Sequence, residues 1–154
     1  MCEWVGGAAA VSGKRFPWDD TIQYGRANYY SFASYAYDTS PTRGYHPDYD
    51  NDPMPYTSPV GSFAANGYGL YDMSGNLWEW CWDWFDDYPS GSVTNPHGPS
   101  TASSYGGSLR VGRGGGWELC RGDAACCRAA SRGYGSPDKR IEAVGFRAVL
   151  PPGQ

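Results

Sequence analysis

The sequence has little charge, almost no histidine and no long apolar run. Charged residues make up 18% of its 154 positions, and no basic run exceeds two residues (Lys14-Arg15 and Lys139-Arg140). With a net charge of -4, the chain carries no electrostatic footprint for nucleic acid. No apolar stretch approaches the ~20 residues that cross a bilayer, so no membrane span is expected. The start, Met1-Cys2-Glu3-Trp4-Val5-Gly6-Gly7, lacks the basic and apolar parts of a signal peptide, which leaves the compartment open. The two histidines, His46 and His97, fall in polar stretches and are expected to face solvent. The five cysteines, Cys2, Cys81, Cys120, Cys126 and Cys127, match no zinc spacing. Disulfide pairing would leave one over, and reduced, partly buried thiols are expected.

What is abundant is glycine, proline and aromatic rings. Twenty-two Gly and 12 Pro exclude long helices, because both residues break helix interiors. Seven Trp and 13 Tyr can close a core where regular structure is sparse, since each ring buries a large area. A single loop-rich domain spanning residues 1–154 is therefore expected. Asn28 to Tyr37 reads as extended. Asp38 to Pro59 reads as a long irregular segment with five prolines, of the kind that is functional, ion-clamped or disordered. Val60 to Trp84 is the densest core candidate, with Leu70, Tyr71, Trp78 and Trp80 inside it and Phe146 joining from the end of the chain. Leu109–Arg113, Arg128–Arg132 and Val144–Leu150 read as strands. Gly114-Gly115-Gly116 allows close approach of another backbone.

Four blocks in order carry a resemblance. The first is Asn66-Gly67-Tyr68-Gly69-Leu70-Tyr71-Asp72-Met73-Ser74-Gly75-Asn76-Leu77-Trp78-Glu79-Trp80. Arg110-Val111-Gly112-Arg113-Gly114-Gly115-Gly116-Trp117, Arg128-Ala129-Ala130-Ser131-Arg132 and Val144-Gly145-Phe146-Arg147 follow. Together they resemble the formylglycine-generating enzyme, or sulfatase-modifying factor, family. The resemblance implies an α+β, C-type-lectin-like fold, rich in loops with short strands. It also implies a domain that is short at its N-terminal side relative to the family, because only Glu3-Trp4 match a motif that the family carries on a helix there.

Asp72, Gly75, Leu77 and Glu79 make a compact oxygen-donor set, with two carboxylates seven residues apart and a glycine to turn the backbone between them. Calcium takes several carboxylate and carbonyl oxygens. The resemblance points to a structural calcium site on the side chains of Asp72 and Glu79 and the carbonyls of Gly75 and Leu77. It points to a second on Asn28, the Tyr29 carbonyl, Asp52 and the Met54 carbonyl, which would clamp the 38–59 segment. The alternative is that Asp72 caps a turn and Glu79 pairs with an arginine.

Family enzymes oxidise a sulfatase cysteine to formylglycine with oxygen, using two cysteines in a C-x4-C spacing that hold copper(I), an ion that favours soft thiolates. Counting back from Pro137-Asp138 places Leu119 and Ala124 at those positions. Cys120 and Cys126 are the nearby candidates, in a C-x5-C spacing, and Gly116 stands where the family has a serine. A one-residue offset on a strand turns a side chain to the other face, so copper chemistry is not expected. Another branch of the superfamily uses iron on three histidines, which two histidines cannot supply.

The 110–147 region resembles the variable region of retroelement-diversified proteins, in which a rigid scaffold displays varied residues on one face. On that resemblance the candidate ligand contacts are Trp78, Trp117, Glu118, Leu119, Arg121 and Asp123. Ser131, Tyr134, Lys139, Ile141 and Glu142 complete them. The expected function is a non-catalytic domain that displays a surface for a protein or small-molecule ligand. The alternative is a copper-dependent oxidase acting on a sulfatase cysteine.

Overall fold

Glycine and proline spread along the chain leave room only for short strands. The computed structural model describes residues 13–92, 94, 98–102, 108–118 and 123–148. Cys2, His97, Leu119, Cys120, Arg121 and the last two residues of the expected closing strand lie outside them. Among the described residues there are four strands and no helix, so the expected α+β character reduces here to a strand-rich structure. Among the described residues no helix is long and apolar enough to cross a membrane.

The four strands form one sheet in the order β3-β2-β1-β4. β1 is Trp78–Trp84, β2 Arg110–Arg113, β3 Gly133–Gly135 and β4 Val144–Gly145. β2 runs antiparallel to β1, with Trp80 opposite Gly112, and the register slips between Trp80 and Trp84. β3 continues antiparallel, with Gly112 opposite Gly133 and Arg110 opposite Gly135. β4 lies parallel to β1, with Trp78 opposite Val144. The 109–113 strand is thus found nearly where expected. The 128–132 strand is not, because those residues turn and pairing begins only at Gly133. The closing strand pairs over two residues only.

The segment before the sheet is irregular and is held by rings. Phe16, Ile22, Tyr24, Ala27 and Tyr29 pack with Ala124 and Cys127 in one buried cluster. Tyr56, Trp117 and Ala143 form another, against Tyr45 and Leu77. The expected extended run 28–37 contributes only isolated bridges at Tyr30 and Ser31. Asp38, 3% exposed, ties this region together. It accepts hydrogen bonds from the Tyr29 hydroxyl (2.6 Å), the Ser31 hydroxyl (2.6 Å) and the Ser40 amide (3.1 Å), and Arg43 lies 3.2 Å away. A buried carboxylate is tolerable only with such partners, and here they fix the start of the 38–59 segment. His46 is buried, not solvent-facing. Its Nδ1 accepts from the Asp48 amide (3.2 Å), which leaves Nε2–H to donate to the Tyr24 carbonyl (3.0 Å). The rings of Tyr24, Tyr49 and Phe63 surround it.

The glycine run behaves as its composition suggests. A Cβ on Gly115 would meet the Cys126–Cys127 backbone and the Cys127 sulfur at 2.9 Å, and its φ is +70°. Only glycine lets these two segments pack so closely.

Candidate functional site

Alternation along β1 sends its side chains to two faces, and a concavity lies on each. Trp78 and Trp80 face a cleft of about 380 Å3. Glu79 faces a groove of about 590 Å3.

The cleft is built on glycine. The Trp78 ring lies against Gly112 and Gly133, where a Cβ would sit 3.4 and 2.8 Å from it. The Trp80 ring lies against Gly135, where a Cβ would sit 2.7 Å away. No other residue at 133 or 135 would leave the rings in place. Tyr134, between the two glycines, lines the mouth of the cleft and is 59% exposed. It meets Phe85 at 4.5 Å between ring centroids. Arg132 lies over the rings of Phe85 (4.9 Å) and Tyr88 (3.8 Å) and donates to the Asp86 carbonyl (3.0 Å). Glu118, Ser131, Ile141 and Cys126 complete the walls. Burial, then the Asp123 carboxylate, push the Cys126 thiol up to about 11. Burial pushes Cys127 well above the ordinary thiol range as well. Asp123 Oδ1 accepts from the Ala125 and Cys126 amides, and Oδ2 accepts from the Tyr35 hydroxyl at 2.8 Å.

Of the expected ligand contacts, Trp78, Glu118, Ser131, Tyr134 and Ile141 line this cleft. Trp117 is 2% exposed and belongs to the core beside Tyr56. Asp123 is engaged with Tyr35 and its own turn, and Lys139 and Glu142 lie on the surface outside the cleft. Trp80, Phe85 and Arg132 were not among the expected contacts. The period-two pattern of Trp78-Glu79-Trp80 was the signal for Trp80. Nothing local in sequence marks Phe85 or Arg132, which meet only through the fold.

On the opposite face, Asp72, Gly75, Leu77 and Glu79 all line the groove. Asp72 Oδ2 accepts from the Gly61 amide (2.5 Å), while its Oδ1 is buried without a partner. Arg147 forms an ion pair with Glu79 and donates to the Tyr71 and Asp72 carbonyls, each at 3.1 Å. Both halves of the alternative reading are therefore present, together with an orphaned carboxylate oxygen. Farther along the chain, Asn28 is 1% exposed and donates to the Tyr56 carbonyl (2.7 Å), while its own Oδ1 is buried and unpartnered. Tyr56 donates to Asp52 (2.7 Å), so Asn28 and Asp52 meet through that residue. Tyr29 is fully buried and the Met54 side chain is 53% exposed. Among the described residues no three His, Cys, Asp or Glu side chains cluster. A cation at either place would draw on backbone carbonyl and amide oxygens, which suits calcium.

Residues 1–151 match the sulfatase-modifying factor enzyme 1-like domain family. The chain belongs to this family. It is 35% identical over 155 residues to the formylglycine-generating enzyme of Streptomyces coelicolor, covering 96% of this chain and 44% of that protein. It is 32% identical to the formylglycine-generating enzyme of Mus musculus, covering 90% of this chain and 34% of that one. Serine/threonine-protein kinase pkn1 of Chlamydia caviae is 33% identical over 96% of this chain and 20% of its own length. Among solved structures, Treponema denticola variable protein 1 is similar with a TM-score of 0.65 and 29% identity, over 94% of this chain and 43% of that one. PvdO from Pseudomonas aeruginosa is similar with a TM-score of 0.56 and 29% identity, over 93% and 47%. The chain thus spans less than half the length of these relatives.

Proposed function

We propose that this chain is a non-catalytic sulfatase-modifying-factor-like domain that displays a ligand-binding surface on a C-type-lectin-like scaffold, with calcium as a structural ion. One observation carries the reading. The Trp78–Trp80 face opens on a cleft walled by rings, and the cysteine in its wall, Cys126, has its thiol pushed up to about 11 by burial and then Asp123. Copper(I) binding and oxidation need thiolates, and both burial and Asp123 work against one at this position. An apolar cleft with a few polar groups is what small-ligand and side-chain recognition uses. Similarity to a protein named a variable protein supports display rather than catalysis. The walls Glu118, Ser131, Tyr134 and Ile141 fall in the 110–147 region expected to vary.

The second reading, an oxidase that converts a sulfatase cysteine to formylglycine, is favoured by the names of two of the relatives. Copper(I) titration against a chromogenic chelator, followed by incubation with a cysteine-containing sulfatase peptide under oxygen, separates the two. The expected outcome is weak copper(I) binding and an unmodified peptide. Aldehyde on the peptide, captured by a hydrazide probe, would establish the oxidase instead.

A further inference from the structure

The walls of the cleft define what chemistry suits it, and this inference rests on the ligand-binding reading above. Two charged side chains of opposite sign face the cavity, Glu118 and Arg132. Arg132 is fixed by the faces of Phe85 and Tyr88 and by one bond to the Asp86 carbonyl, which leaves further N–H groups of its five to donate. A cationic ligand would meet this guanidinium across a small cavity, and an anionic one would meet Glu118. An ion of either sign thus meets one like and one opposite charge, so the pair gives neither sign a net advantage. The remaining wall is mostly carbon: the rings of Trp78, Trp80, Phe85 and Tyr134, with Ile141 and Val144.

The orientation of those rings is set before any ligand arrives. Gly133 and Gly135 leave just enough depth for the Trp78 and Trp80 rings. Phe85 and Tyr134 meet at 4.5 Å with planes tilted by 40°. Fixed rings lose little freedom on binding, and they favour a flat partner that can stack or meet them edge to face. A cavity of about 380 Å3 is at the small end of ligand sites, the size of a side chain and its immediate backbone. One carboxylate and one guanidinium at the wall supply an acceptor and donors for the amide groups of that backbone.

We propose that the Trp78–Trp80–Tyr134 cleft binds the uncharged aromatic side chain of a peptide, seated between the fixed rings, with Glu118 and Arg132 meeting its flanking amides. The ligand class is thus an aromatic residue in a polypeptide, not an organic ion or a free hydrocarbon.

The test is a titration of the whole chain, followed by its tryptophan fluorescence, with N-acetyl-phenylalaninamide, N-acetyl-leucinamide and toluene. The phenylalanine amide is expected to saturate the signal and to bind about two- to tenfold more tightly than the leucine amide, the scale of one aromatic pair. It is also expected to bind more tightly than toluene. Tyr134→Ala, at an exposed position, should remove the aromatic preference while far-UV dichroism and a cooperative melt are retained. Trp82→Ala, at an exposed ring outside the cleft, should leave binding as it is. Equal or tighter binding of the leucine amide would overturn the aromatic assignment. Equal or tighter binding of toluene would overturn the peptide assignment, and no saturable signal from any of the three would overturn the inference outright. Failure of the underlying reading looks different, since it appears as aldehyde on the sulfatase peptide whichever probe binds.

Discussion

Cys126 sits in the cleft wall with Asp123 three residues earlier on the same turn, and the two together decide its reactivity. Its thiol is pushed from the ordinary 9.0 to about 11, by burial first and by Asp123 second. Since the thiolate is the nucleophile, alkylation of the folded protein at pH 8 should run slower than that of the unfolded chain by a factor on the order of 10–100. The sign is fixed by the direction of the shift: the rate at Cys126 should climb as pH rises from 9 towards 11, and the associated stability should be lost over the same window. Mass spectrometry of Cys126 after timed iodoacetamide exposure reads this directly. Asp123→Asn should speed it, and equal rates in folded and unfolded protein would remove the physical basis for a non-catalytic cysteine. Residues of this kind are hard to read from sequence, because a pKa depends on neighbours that the chain brings from elsewhere. His46 makes the same point in reverse. Its polar sequence neighbours suggest solvent, but Tyr24 and Phe63 close over it.

At the level of the strand, the sequence marks Val60 to Trp84 only as a core candidate and does not announce β1, Trp78–Trp84. A period of two divides it into an aromatic face and a carboxylate face, and the structure has a cleft on one and a groove on the other. The expectation that Leu70, Tyr71, Trp78, Trp80 and Phe146 are all core does not hold. Trp78 is buried at 8% and Trp80 is half-buried, but Tyr71 is 52% exposed, Leu70 38% and Phe146 80%. Only the last residues of the 66–80 block enter the sheet, residues 69–72 and 75–77 line the groove, and Met73 and Ser74 are buried. A pair of truncations separates the two environments. Trp117→Ala, at 2% exposure, should cost about 3–5 kcal/mol. Phe146→Ala should stay within about 0.5 kcal/mol. Denaturant unfolding of both variants measures the difference, and a large loss from Phe146→Ala would return that ring to the core. β3 offers a complementary case. Nothing in the sequence singles out Gly133 and Gly135, since only the cross-strand register shows that tryptophan rings lie on them.

On the scale of the molecule, the question is what holds a chain with four short strands in one arrangement. Aromatic clusters and the Asp38 network hold the segment before the sheet. The groove is the other junction, since it gathers residues 60–61, 69–72, 75–77, 79 and 145–147 around the orphaned oxygen of Asp72. The sequence made this donor set legible, because its members lie within eight residues of one another. It could not show that Arg147 would reach Glu79 from 68 residues away. The guanidinium and a calcium ion compete for the same carboxylate. If calcium binds the folded chain alone, a hundredfold excess over Kd should add about 2.7 kcal/mol. For a domain of this size that raises Tm by roughly 5–10 °C, and a chelator should reverse it. Glu79→Ala should abolish the calcium-dependent part of the melt. It will also cost stability without calcium, because it strands Arg147, so the quantity to compare is the difference between melts with calcium and with chelator. Asp72→Asn removes charge without touching the ion pair and should shrink that difference too. Arg147→Gln frees Glu79 and should enlarge it. Superimposable melts of the unsubstituted protein with calcium and with chelator would assign the groove to the Glu79–Arg147 pair alone.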